Sequence, residues 1–247
     1  MIKNNQELED MKRAGFIVAK IHQRAQEISK PGVSLLKINE LAKEYIKKYG
    51  GKSLFLNYEG YPAYVCTSVN SEVIHGIPRD YKLKEGDFYT LDVGVSYNGM
   101  CVDAAAIITV GKIEEKTKKL LKATKEALNN AIKIVKPGAT LGDIGYEISS
   151  TAAKYGYNVS NEYVGHFIGK NMHEDPLVLN EGKKGEGFKL KEGMTFCIEP
   201  IFIDGDEDLF VDPLDKWTVR TKHGENAAHI EHTILVTKTG WEILDKL

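Results

Sequence analysis

An α+β protein of two pseudo-symmetric halves, with antiparallel strands inside and helices outside, is the fold class that this sequence predicts. Three observations carry the prediction: an internal repeat, helical and strand periodicities that recur in the same order in each half, and no linker between the halves. The stretch from Lys30 reads KPGVSLLKI, that from Lys136 reads KPGATLGDI, and each runs on to the same KYG, at 48–50 and 154–156. LKEGDFYTLD from Leu83 is echoed by LKEGMTFCIE from Leu190. The two echoes are offset by 106 residues (30 to 136) and 107 (83 to 190), so they agree on one duplication.

Leu8, Met11, Ile17, Val18, Ile21, Ala25 and Ile28 trace an apolar face at helical spacing, with His22 on its polar side. A second helix is expected between Pro31-Gly32 and Gly50, then strands near 63–69, 87–96 and 100–110. The second half predicts a helix over about 116–135 and another opened by Thr140, with Asp143 completing a capping box. Strands near 194–203 and 228–237 close the chain. The 247 residues are expected to form a single catalytic domain, with repeats over approximately 30–110 and 136–240.

A net charge of -2 leaves no bulk field for a nucleic acid or a membrane, and Lys-rich faces such as KTKKLLKATK are expected to be simply solvated. Three widely spaced cysteines argue for a reducing compartment. The charged N-terminal stretch is no signal peptide, and the longest apolar run, 104–110, is too short to span a bilayer. A cytoplasmic protein is expected.

Residues 90–106, TLDVGVSYNGMCVDAAA, alternate around Asn98-Gly99, a pair suited to a two-residue hairpin turn. Paired residues then sum to 197, so Asp103 faces Gly94 and lies diagonal to Asp92, with Cβ atoms roughly 7 Å apart on one face. That spacing suits two carboxylates converging on a cation, or two acids on a solvated face. The repeat favours the first, because Asp92 and Glu199 are both the tenth residue of their echoed segments. Glu199 in MTFCIEPIFI and Glu231 in HIEHTILV would each cost several kcal/mol as unpaired carboxylates in such apolar strands. Two divalent cations balance four such charges. His75, His166 and His173 sit in Gly- or Pro-bearing stretches where loops meet strands, whereas His223, His229 and His232 read as structural or exposed.

HGIP at 75–78, LDVG with Asp103 eleven residues after Asp92, GH-x-IG at 165–169, HEDP at 173–176, IEP at 198–200 and EHT at 231–233 stand in one order over almost the whole chain. In these motifs the sequence resembles the type I methionine aminopeptidases, in their short bacterial-like form. The resemblance implies a pita-bread fold and removal of N-terminal methionine from nascent proteins and peptides. It implies a dinuclear metal site matching Asp92, Asp103, His166, Glu199 and Glu231, with Asp103 and Glu231 bridging and Asp92 holding the metal that meets the substrate amine. The ligand chemistry does not choose among Mn, Fe, Co and Zn. Glu199 is the candidate proton acceptor from a water activated at that site. His75 and His173 are expected on the substrate amide, in an oxyanion-hole role. Tyr58, Tyr61, Cys66, Met172 and Trp217, with Phe55 beside them, are the candidate methionine pocket, since aromatic and sulfur groups suit a thioether.

Two features depart from the family pattern. Phe167 stands directly after His166 where glycine is usual, and its ring is expected to narrow the pocket or shift the metal. The segment FIDGDEDLFVDPLDKW is unusually acidic. A monomer is expected, and the resemblance implies ribosome docking, for which the sequence holds no motif. A prolidase or aminopeptidase P, with similar ligands, and a non-catalytic pita-bread module that binds peptides are the competing readings.

Overall fold

The computed structural model describes residues 1–246. Helices α1 (Asn5–Ile28) and α2 (Leu35–Lys48) precede the short strands β1 (Lys52–Ser53), β2 (Cys66–Val69) and β3 (Glu72–Ile74) and the long hairpin β4 (Phe88–Tyr97) and β5 (Met100–Thr109). Helices α3 (Glu115–Lys133) and α4 (Leu141–Tyr155) then lead to β6 (Asn158–Val159), β7 (Gly165–Phe167), β8 (Glu174–Val178), β9 (Thr195–Ile198) and β10 (Ile201–Ile203). Five more strands follow: β11 (Leu209–Val211), β12 (Val219–Thr221), β13 (Ala227–His229), β14 (His232–Val236) and β15 (Trp241–Ile243). All strand pairings are antiparallel.

The helices lie outside because each has one apolar stripe to bury. Met11, Ile17, Val18 and Ile21 of α1 and Ile38 and Leu41 of α2 share one core with Leu91, Val93 and Val95 of the hairpin. Leu120, Leu128, Ile144 and Ile148 of α3 and α4 pack on Phe196, Ile198 and Ile234. The entries to α2 and α4 are built alike. Gly32 and Gly138 both adopt φ +91°, which only glycine takes without strain, and donate to Leu83 O and Leu190 O. Ser34 and Thr140 then cap the helices, and Thr140 with Asp143 forms the capping box.

The hairpin has the register expected of it: Asn98 and Gly99 turn at positive φ, and Gly94 faces Asp103. The other two acid-bearing strands depart from expectation. The strand expected over 194–203 breaks at Glu199-Pro200, because proline has no N–H to give the ladder. The strand expected over 228–237 breaks at Ile230-Glu231. There the backbone of Glu231 leaves its own sheet and exchanges both hydrogen bonds with Ala105 of β5, at 3.0 and 3.2 Å. Thr233 reinforces the junction, its hydroxyl donating to Asp103 O at 2.6 Å and accepting from Asp103 N at 3.1 Å. This junction brings Glu231 of the second half against Asp103 of the first.

His22 also differs from expectation. It is half-buried, with Nε2 3.0 Å from Leu91 O, and burial lowers its pKa to about 4. Among the described residues no helix is long and apolar enough to cross a membrane.

Candidate metal centre and adjoining pocket

Asp92, Asp103 and Glu231 each place a carboxylate oxygen within 4.8 Å of the others. Glu199 joins Glu231 and His229 in a second such group, and His166 joins Glu231 and Cys197 in a third. All of these side chains are buried. Asp92 Oδ1, Asp103 Oδ1 and Glu231 Oε1 have no hydrogen-bond partner among the described residues. Burial and mutual repulsion hold Asp92 and Glu231 well above the usual carboxylate range and push Asp103 up to about 6. Unpartnered buried carboxylates are costly, and a divalent cation removes that cost by supplying the opposite charge. The donors therefore fit a metal.

His166 is prepared for ligation. Its Nδ1 lies 3.1 Å from Phe167 O, and donation there leaves the Nε2 lone pair directed toward Glu231 Oε1, 3.8 Å away. Glu199 stands apart from the other acids: burial would raise its pKa, but the neighbouring His229, then His166 and His75, bring it below the usual range.

One cavity of about 270 Å³ joins these acids to an apolar pocket. Its lining includes every residue singled out in the sequence for the pocket and the substrate amide: Phe55, Tyr58, Tyr61, Cys66, His75, Met172, His173 and Trp217. Cys66 sits opposite Asp92 in the sheet register, so the pocket begins where the acids end. Gly94 is glycine for a local reason, since a Cβ there would stand 2.7 Å from the Phe55 ring. Trp217 is held by Asp215, which accepts from the backbone N–H groups of Trp217 and Thr218 and from the Thr218 hydroxyl. Glu174 holds the turn bearing Met172 and His173 by accepting from Lys170 N and Asn171 N and pairing with buried Lys3. Burial lowers both His75 and His173 to about 4, so both are neutral at pH 7.

One expectation is corrected, and two further readings gain detail. Phe167 does not reach the cavity: its ring points to the opposite face of β7, where it stacks on Phe196 with centroids 5.3 Å apart. Successive strand side chains alternate faces, so a bulky neighbour of His166 goes into the core. In the acidic 202–217 segment Asp204 pairs with Lys116 of α3, Asp212 with Arg220, and Asp215 lies under Trp217. His229, read from sequence as structural or exposed, is buried beside Glu199. Its spacing of two residues before Glu231 was the available signal. Glu59 and Ile74 also line the cavity and carried no recognisable pattern.

Antiparallel sheets enclosed by helices around a buried carboxylate and imidazole cluster define a metallopeptidase of the pita-bread fold. Residues 9–238 match the model of metallopeptidase family M24, and the chain belongs to that family. It is 42% identical to a methionine aminopeptidase of Rickettsia prowazekii over 233 residues, covering 94% of this chain and 90% of that protein. It is 42% identical to a methionine aminopeptidase of Clostridium acetobutylicum over 245 residues, 99% and 98% of the two chains. The crystal structure of a methionine aminopeptidase from Thermotoga maritima superposes with a TM-score of 0.97 at 43% identity, covering 100% of this chain and 99% of the other. A prolidase from Pyrococcus furiosus shares the fold, with a TM-score of 0.79 at 24% identity over 100% of this chain and 65% of the prolidase.

Proposed function

We propose that this chain is a methionine aminopeptidase that removes the N-terminal methionine of nascent proteins and peptides. The observation that carries the reading is the continuity of one cavity from the carboxylate cluster to a pocket of Phe55, Tyr61, Cys66, Met172 and Trp217. Aromatic rings and sulfur suit a thioether side chain.

Asp92, Asp103, His166, Glu199 and Glu231 would hold two divalent ions, which when bound supply charge stabilisation and a water acidic enough to attack an amide at neutral pH. Asp103 and Glu231, side by side across the junction of the two halves, would each contribute a carboxylate to that ligand set. Asp92, next to the apolar pocket, faces the position of the substrate α-amine, which explains release of one residue from the end rather than internal cleavage. Glu199 accepts the proton lost by the attacking water and passes it to the leaving amine. His173, with Tyr58 Oη donating to its Nδ1 at 3.2 Å, presents Nε2–H to the substrate carbonyl, and His75 lies across the same cavity. The reading takes residues 1–247 as a single catalytic domain that works as a monomer in the cytoplasm, on chains emerging from the ribosome.

Release of methionine from Met-Ala-Ser is expected only with added Mn²⁺ or Co²⁺, with much less from Met-Lys and no cleavage of Ala-Pro. Cleavage of Ala-Pro in preference to Met-Ala-Ser would favour the prolidase class, and no binding of either metal would favour a non-catalytic module.

A further inference from the structure

His229 ends β13 two residues before Glu231, and its backbone is fixed on both sides. It pairs with Ile201 across the sheet, and its carbonyl accepts from the Thr90 hydroxyl at 2.9 Å. The side chain is 1% exposed. Its Nε2 lies 3.1 Å from Glu199 Oε2, and neither ring nitrogen meets hydrogen-bond geometry with any partner among the described residues. A buried imidazole without a partner is costly, so the carboxylate nearest to it points to what the ring is for.

We infer that His229 is a positioning residue for Glu199: its Nε2–H holds one carboxylate oxygen in place and leaves the other free for a cation or a proton. The inference deepens the aminopeptidase reading and rests on it for the role of Glu199. It also separates Glu199 from the other acids. Asp92, Asp103 and Glu231 each keep an oxygen without any donor, whereas Glu199 has an imidazole nitrogen 3.1 Å from one of its oxygens. A carboxylate held in one orientation is ready to take a proton without first rearranging.

Two variants test the assignment. His229→Gln keeps an N–H donor at similar reach, and His229→Leu removes it while keeping bulk. If His229→Leu does not fold, His229→Asn, with an amide too short to reach Glu199, replaces it. Calorimetric titration with Co²⁺ should give the same number of ions in every form, with affinity about 10-fold weaker in His229→Leu, the range found when a residue orienting a ligand is lost. Turnover of Met-Ala-Ser at saturating Co²⁺ should show kcat down by about 100-fold with KM within twofold, and His229→Gln should recover most of both losses. Wild-type affinity and kcat in His229→Leu would overturn the inference. So would a lower number of bound Co²⁺ ions in both variants, which would make His229 a ligand, or a His229→Gln no better than His229→Leu. If the wild type releases nothing from any peptide, the aminopeptidase reading fails, and the Co²⁺ titration still decides the role of His229.

Discussion

Asp92 and Glu199 occupy the same place in the two halves and differ in everything around them. Asp92 lies in the middle of a strand ten residues long, paired on one side with β2 and on the other with β5, and burial and neighbouring acids hold its proton. Glu199 stands just past the end of β9, ahead of Pro200, with His229 beside it, and gives its proton up readily. Each half carries one of these carboxylates, and on the proposed reading the neighbours decide whether it serves as a charge to be neutralised or as a base. The aromatic residues divide the same way. Phe55 of the first half reaches the cavity over Gly94, while Phe167 of the second turns into the core.

The contrast between the acids can be broken most directly at Glu199. Glu199→Gln should lower kcat by about 10³-fold or more at saturating metal, since proton transfer is lost. Asp92→Asn should act first on metal uptake and KM, and equal kcat losses in the two variants under saturating Mn²⁺ would erase the distinction. The contrast between the aromatics predicts that Phe167→Ala costs about 3 to 5 kcal/mol of stability by cavity formation, read by urea unfolding, with KM for Met-Ala-Ser unchanged. A raised KM would return its ring to the pocket.

His22 backs the strand that carries Asp92 and sharpens the comparison through pH. Its folded pKa, about 4, lies below the unfolded value near 6.5, so below about pH 6.5 the unfolded chain takes up the proton first. The stability it permits is complete above pH 6.5 and is lost as pH falls toward 4, a difference of about 3 kcal/mol at most. Urea midpoints of His22→Gln should therefore fall less between pH 7 and pH 4.5 than those of the wild type. Smallest in effect, Tyr61→Ala should raise KM for Met-peptides by about 10-fold, the scale of lost apolar contact in a pocket. An unchanged KM would place the pocket elsewhere.

Where local rules decide geometry, the sequence was legible. Asn98-Gly99 sets a two-residue turn, and strand alternation then places Asp92 and Asp103 on one face, as found. The capping box of Thr140 and Asp143 follows from a pattern within a few residues, and the repeat itself pairs Asp92 with Glu199. What escaped reading depends on partners far along the chain. The break at Ile230-Glu231 is made by Ala105, and apolar residues on both flanks looked like one continuous strand. His229 read only as structural or exposed because its neighbour, Glu199, is thirty residues away in the sequence. Phe167 was legible in principle, since alternation alone sends it to the face opposite His166.

The exchange of hydrogen bonds between Ala105 and Glu231 has a bearing on how the protein is made. Asp103 must wait for a strand that is synthesised more than a hundred residues later, and Asp245, which accepts from Thr233 N at 3.0 Å behind that strand, emerges later still. Gly15 of the first helix packs against the backbone of Leu244 so closely that a Cβ would stand 2.0 Å from its carbonyl oxygen. Contacts of such long sequence separation form late in folding. The helices and the first hairpin can assemble during translation, but the centre closes only when nearly the whole chain has left the ribosome. Metal capture thus belongs to the last stage of biosynthesis, and truncation after β13 should yield a chain with most of its first-half core and no working site.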